Sequence, residues 1–369
     1  MRVELLRGIM SIRNTFEKII SFENLLYAEK DSAEDKRYDK EVLSFRRDFE
    51  DNIVALHERL EKLDMPPAHY KTFLVYIPKV RKVIYIDYTS KIVQRAIYNV
   101  INPLICKKFI EDTYACIEGR GQLAAMLRLK GWFENTRHSN EKWYYYKFDV
   151  AKFFYRIDHE VMMSILSKKI DDKYTVEMIR YYVCSTSRPF GMPIDANHLT
   201  ITEDEMLWDV GIPIGGGLSH MLGNMYLDPL DQYAKRVLRI KKYIRYMDDI
   251  IIMDTDKNRL REWAKAMSQF IQDKLRLQFN NKSALRPVSC GCEFVGYVIF
   301  PDHAILRKQT TLRIKRRLRQ IAEDYRDYKI NFDQARQTVA SYKALLKYAD
   351  SKRFEEKLWE EFVLTHNKE

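Results

Sequence analysis

The chain has only five cysteines in 369 residues, at positions 106, 116, 184, 290 and 292. An odd, scattered set of this kind excludes a disulfide framework. Cys290-Gly291-Cys292 lacks the second ligand pair that a structural zinc site needs, and it reads as a turn. No apolar run reaches membrane-spanning length and no secretory signal opens the chain, so no membrane partner and a reducing, cytoplasmic location are expected. Internal repeats and low-complexity tracts are also missing. Residues 1–62 contain no proline, and no glycine after Gly8, which predicts helices. Ile9, Ile12, Phe16, Ile19 and Ile20 fall on one helical face, suited to a core or a docking surface.

What is present points to a polyanion. The net charge is +11 with a pI of about 9.1, and Lys and Arg that neutralise phosphates release condensed counterions on binding. A hydrophobic fraction of 46% suffices for a sizeable core, and the length suggests two or three subdomains. The most informative segment is Tyr243-Ile-Arg-Tyr-Met-Asp-Asp-Ile-Ile-Ile-Met253, in which Asp248-Asp249 sits between two strand-forming runs. That pattern predicts a β-hairpin whose tight turn presents both carboxylates. Adjacent carboxylates repel, and a hard divalent cation such as Mg²⁺ resolves the repulsion without protonation.

An Asp-Asp turn alone is also an ordinary solvated turn. Here a further carboxylate, Asp149, ends the aromatic run Tyr144-Tyr-Tyr-Lys-Phe-Asp149 just before a helix-like segment containing Phe153-Phe154. A third segment, Gly211-Ile-Pro-Ile-Gly-Gly-Gly-Leu-Ser-His-Met-Leu-Gly-Asn224, is a glycine-rich loop running into an apolar helix, suited to close approach of backbone and ligand.

In this order the three segments resemble a bacterial reverse transcriptase of the branch that contains diversity-generating retroelements and group II introns, and the related defence-associated enzymes. The resemblance runs from about residue 40 to about 355. Phe148-Asp149 with Phe153-Phe154 resembles the first palm motif, Gly211 to Asn224 the template- and nucleotide-positioning motif, and Tyr246-Met247-Asp248-Asp249 the catalytic turn. Leu275-Arg276-Leu277 followed by Lys282 resembles the next palm motif, and Phe294-Val295-Gly296-Tyr297 the primer-gripping hairpin. Pro78-Lys79-Val80-Arg81 and Asp112-Thr113-Tyr114-Ala115-Cys116 resemble fingers motifs.

The resemblance implies an α+β, right-hand polymerase with fingers, a palm carrying an antiparallel sheet, and a helical thumb. The expected divisions are an N-terminal helical region (1–69), fingers (70–148), palm (149–301, with an insertion at about 187–209) and thumb (302–369). It implies an RNA-directed DNA polymerase adding deoxynucleotides to a primer 3′ end with two Mg²⁺ ions, Mn²⁺ being a substitute. Asp149, Val150, Asp248 and Asp249 would hold metal, and Lys282 would donate a proton to pyrophosphate. Lys79, Arg81, Val150, Phe154, Ile214 and Gly215 would surround the nucleotide, Phe154 as the ring that excludes a ribose 2′-hydroxyl. Ser219, Tyr246, Gly296 and the basic-helix residues Arg313, Arg316 and Arg317 would meet template and primer.

Three departures refine the placement. Gly119-Arg120-Gly121 is followed by Gln122-Leu123 where relatives carry Thr-His. Ile214 replaces the glutamine of most reverse transcriptases, as in error-prone retroelement enzymes, yet the glutamine those enzymes carry six residues on is His220 here. With the acid-rich 187–209 insertion, expected to form a small hairpin, this favours a defence-associated lineage using a structured non-coding RNA. Diversity-generating mutagenic cDNA synthesis and template-independent or repeat synthesis are the alternatives. A second protein or further copies of the chain are the additional partners expected, since no endonuclease, RNase H or integrase-like segment is visible.

Overall fold

The computed structural model describes residues 11–34, 36–75, 81–214 and 216–365, without the side chains of 75 and 81–83. Ile9, Lys79 with its neighbours Pro78 and Val80, Gly215 and the side chain of Arg81 lie outside the described residues.

At the centre is a four-stranded antiparallel sheet in the order β4-β5-β3-β6: β3 is Tyr144–Asp149, β4 Lys242–Tyr246, β5 Asp249–Asp254 and β6 Ala284–Pro287. Side chains alternate between its two faces, as strand geometry demands. Phe148, Tyr243, Ile250 and Ile252 enter one core, while Tyr145, Ile244, Ile251 and Met253 enter the other. The first core is covered by α8 (His159–Lys169), α10 (Gly217–Gln232) and α11 (Lys257–Leu275). It continues without a break into α1 (Phe16–Ile20), α2 (Phe22–Ser32), α3 (Lys40–Arg47), α4 (Phe49–Glu61) and α5 (Tyr88–Cys106). Ile12, Phe16, Ile19 and Ile20 are therefore core residues and not a docking surface. Asp172 fixes this junction, its carboxylate accepting from the backbone N–H groups of Thr15 (2.8 Å) and Phe16 (2.9 Å).

The second core joins the opposite sheet face to α6 (Gln122–Asn135) and to a three-stranded sheet, β7 (Cys292–Phe294), β8 (Tyr297–Ile299) and β9 (Ala304–Leu306). Three helices complete it: α12 (Lys308–Arg326), α13 (Phe332–Leu346) and α14 (Lys352–Glu361). On α12, Ile314, Leu318 and Ile321 form one buried helical face, whereas Leu312 is exposed, being off that stripe. A β1–β2 hairpin (Tyr70–Val75, Arg81–Ile86) stands before α5.

The 187–209 segment is not a hairpin. A single antiparallel bridge, Gly191 with Leu207, closes it around a small core of Met192, Ile201 and Met206. Pro193 and the run of acids leave it too little alternating apolar sequence for paired strands. Its first half is nevertheless docked. Arg188 donates to Thr72 Oγ1 on β1 (2.7 Å), and Lys152 and Arg156 donate to its carbonyls at Ala196 and Met192.

Candidate functional site

β3 and β5 pair so that Asp149 lies directly opposite Asp249. β4 and β5 pair through Tyr246 and Asp249, leaving Met247 and Asp248 as a two-residue turn. Such a turn demands positive φ, and Met247 supplies it at 55°. The local sequence thus delivers three carboxylates to one end of the sheet.

Their surroundings differ. The Lys147 ammonium, two residues before Asp149 and so on the same face, contacts Asp249 Oδ1 at 3.1 Å and donates to the Glu293 carbonyl at 2.8 Å. Asp149 accepts from the side-chain amide of Asn280, whose backbone N–H donates to the Asp149 carbonyl at 2.8 Å. Burial and the Asp249 charge raise the Asp149 carboxyl above its ordinary range, against the pull of Lys147 and Asn280. Asp248 is pushed up to about 7, first by burial and then by the charges of Asp149 and Asp249. Lys147 makes the direct ion pair with Asp249 alone, and the uncompensated repulsion falls on Asp149 and Asp248.

Among the described residues, no three His, Cys, Asp or Glu side chains converge as a closed metal-holding group. The donor chemistry still fits a hard divalent ion, which takes carboxylate and carbonyl oxygens and leaves positions for substrate phosphates. Val150 forms a bridge with Phe279 whose two hydrogen bonds run from Asn280 N–H to Asp149 C=O and from Ala151 N–H to Gln278 C=O. That pairing does not use the Val150 carbonyl.

The other expected residues are placed as follows. Lys282 is exposed in the turn after Asn280, its charge close enough to lower the Asp149 carboxyl. The Phe154 ring is half-buried, 5.1 Å from Phe153 and 5.8 Å edge-on from His220. Gly223 on α10 makes this packing feasible, since a Cβ there would lie 3.2 Å from the Phe154 ring and 3.4 Å from the Met247 sulfur. Ile214 is half-buried in the loop before α10, and Ser219 donates inward to the Pro213 carbonyl at 2.5 Å, closing that loop. The Tyr246 ring meets Phe294 at 6.5 Å, which brings the β7–β8 turn to the acidic hairpin. In that turn Val295 and Gly296 have φ of 41° and 91°, and the Gly296 carbonyl accepts from Thr310 Oγ1 and Arg307 N–H at the start of α12, both at 3.0 Å. Arg313, Arg316 and Arg317 are exposed on α12, without acidic partners among the described residues and far along the chain from the sheet acids.

Sequence reasoning missed Lys147 and Asn280, and it missed Arg245. The Arg245 guanidinium is fully buried on β4. It is paired with Asp231 of α10 at 2.6 Å and bonded to Asn224 Oδ1 (3.0 Å) and the Met247 carbonyl (3.1 Å). A charged residue inside a run of buried strand residues, with Asp228 and Asp231 inside an apolar helix, was the available signal.

Carboxylates on a hairpin turn, set in register with a third on the adjoining strand and backed by a glycine-entered helix, define a nucleotidyltransferase. A protein-family model described as reverse transcriptase (RNA-dependent DNA polymerase) matches residues 71–299, well over half of the chain. The chain belongs to that family and is an RNA-directed DNA polymerase. Comparison with curated proteins returns no match. The family implies a right-hand polymerase fold, an RNA template, a DNA product and deoxynucleoside triphosphates, and its members generally use Mg²⁺. Among the described residues no helix is long and apolar enough to cross a membrane.

Proposed function

We propose that this chain copies a structured non-coding RNA into DNA, with Asp149 and Asp248 as the metal-holding acids and Asp249 as their neighbour. The observation that carries the reading is the register that sets Asp149 against Asp249 with Asp248 on the adjoining two-residue turn. Bound divalent ions would stabilise the attacking and leaving oxygens as the primer 3′-hydroxyl displaces pyrophosphate from the α-phosphate. Asn280 holds one oxygen of Asp149 and orients the other; Lys147 neutralises Asp249 and keeps three anions from repelling one another apart. Lys282 stands in reach of the solvent side, where it would protonate departing pyrophosphate, and Lys79 and Arg81 would offset triphosphate charge.

In this reading residues 70–148 serve as fingers, 149–301 as palm and 302–369 as thumb, the last presenting Arg313, Arg316 and Arg317 to the duplex backbone. Ser219 and Gly296 would meet template and primer, and Gly215 the nucleotide. Antiphage defence is the role we favour over target-gene diversification, because Ile214 is not accompanied by glutamine at position 220. Template-free synthesis would use the same acids.

The test is primer extension by the purified protein on defined RNA with deoxynucleotides and Mg²⁺, together with sequencing of nucleic acid that co-purifies from cells. DNA complementary to one structured RNA supports the proposal; repetitive DNA lacking a complement in the RNA overturns templated copying. Ile214→Gln adds a polar group where the family places one against the incoming nucleotide. It is expected to lower the substitution rate in the cDNA by about three- to tenfold, on the scale of one hydrogen bond to a base or sugar. An unaltered error spectrum would remove Ile214 from fidelity control.

A further inference from the structure

One buried cation joins the elements that the proposed chemistry needs to hold together. On β4, period-two alternation points Tyr243 and Arg245 to the same face, where both reach Asp231 of α10: Tyr243 Oη at 2.6 Å, Arg245 Nε at 2.8 Å and Nη2 at 2.6 Å. Thr113 Oγ1 donates to Asp231 Oδ2, the oxygen that Arg245 Nη2 also meets, at 3.0 Å. The fork of Arg245 is not exhausted by this pair. Nη1 donates to the Met247 carbonyl at 3.1 Å and to Asn224 Oδ1 at 3.0 Å, and Asn224 in turn donates to the Ala115 carbonyl at 2.7 Å. The Arg245 backbone pairs with 112–114, its N–H donating to the Asp112 carbonyl (2.9 Å) and its carbonyl accepting from Tyr114 N–H (3.0 Å).

The Met247 carbonyl belongs to the peptide that precedes Asp248, and Met247 is held at φ 55°, a conformation costly for a side chain larger than glycine. A strained turn keeps one geometry only where its surroundings over-determine it. Charge-assisted bonds from a rigid, planar fork do that better than a lysine could. Stability alone does not call for the charge, because a buried ion pair replaced by neutral groups of similar size is often as stable.

We infer that Arg245 is a positioning residue: through the Met247 carbonyl it sets Asp248, and through Asn224 and Asp231 it locks that turn to α10 and to residues 112–115. The inference rests on the polymerase reading above. The same linkage places α10, which backs Phe154 through Gly223, and the acidic turn in one rigid unit. Nucleotide position and metal position are then fixed by a single guanidinium.

The test compares Arg245→Lys with the double variant Arg245→Met/Asp231→Asn, which leaves no buried unpaired charge and keeps an acceptor for Tyr243. Mn²⁺ binding to the protein alone is measured by calorimetry, and kcat and KM for deoxynucleotides are measured on an RNA template. Expected are a loss of Mn²⁺ affinity of at least tenfold and a fall in kcat of at least 100-fold in the double variant. KM should stay within threefold, and Arg245→Lys should give intermediate values. Wild-type values in the folded variants would overturn the inference. Should the double variant not fold, Arg245→Lys and Tyr243→Phe, which retain the charge pair, carry the same two readouts, and wild-type values in both would overturn it. Failure of the polymerase reading looks different: wild-type protein makes no cDNA, yet its Mn²⁺ affinity still drops in the variants.

Discussion

Asp248→Asn is expected to reduce DNA synthesis at least 1,000-fold while leaving RNA affinity within about twofold, because on the proposed reading the amide removes a metal-holding charge and leaves the arginines of α12 in place. The same substitution should make the metal-free protein more stable at pH 8. Asp248 is raised from 3.8 to about 7 in the folded chain by burial and by the neighbouring Asp149 and Asp249. The folded state therefore binds this proton more tightly than the unfolded state, so stability is highest at low pH and falls as pH rises through that interval. Above pH 7 the full penalty of the buried charge is present, and asparagine removes it. The side chain is partly open to solvent, which reduces the gain to roughly 1–2 kcal/mol. Denaturant unfolding without metal at pH 5 and pH 8 reads the effect: the stabilisation should be clear at pH 8 and shrink at pH 5. An equal gain at both values would mean that Asp248 is not the strained acid. Equal loss of RNA binding and synthesis would mean that the pair is structural.

The same charge balance carries a second consequence for the wild-type chain. A cation binding beside Asp248 competes with its proton below about pH 7. Metal affinity should accordingly weaken as pH falls through that value.

Much of this site could be read from local pattern. Asp248-Asp249 between branched strand residues, and Asp149 at the end of an aromatic strand, are features of neighbouring residues, and strand periodicity fixes which way each side chain turns. The basic helix was legible for the same reason, through the clustered Arg313, Arg316 and Arg317. What the pattern cannot carry is pairing across long separations. Nothing near residue 147 says that its ammonium will meet Asp249, since that contact depends on β5 lying beside β3. Asn280 meets Asp149 only because the chain after α11 returns along the other edge of β3. Arg245 reads locally as one polar residue in a strand and becomes the centre of a network only once α10 is laid against the sheet. The 187–209 segment was misjudged because a few apolar residues in an acidic stretch built a small core of their own rather than two strands.

Phe154→Val is expected to lower discrimination against ribonucleotides by about 10- to 100-fold, read as the ratio of kcat/KM for a deoxynucleotide and its ribonucleotide. The argument begins with how the ring is held. Phe153 at 5.1 Å and His220 at 5.8 Å flank it, and the bare Cα of Gly223 lies beneath its edge. The Phe154 carbonyl accepts from Ile212 N–H at 3.0 Å, tying the residue to the loop that enters α10. A ring fixed on three sides cannot yield to a 2′-hydroxyl, whereas a valine leaves a gap of several methyl groups. Steric exclusion of this kind is worth about 1–3 kcal/mol, which sets the expected range. Substitution at the support should act in the same sense without altering the ring. Gly223→Ala would place a methyl 3.1 Å from the Phe153 ring, 3.2 Å from the Phe154 ring and 3.4 Å from the Met247 sulfur, so one or more of these three must give by a few tenths of an ångström. Ring displacement alone would alter sugar selectivity and spare kcat for deoxynucleotides; displacement of the turn would lower kcat and leave the ratio unchanged. Unchanged selectivity in Phe154→Val itself would remove the ring from the gate and leave it as core packing between α7 (Phe153–Arg156) and α10.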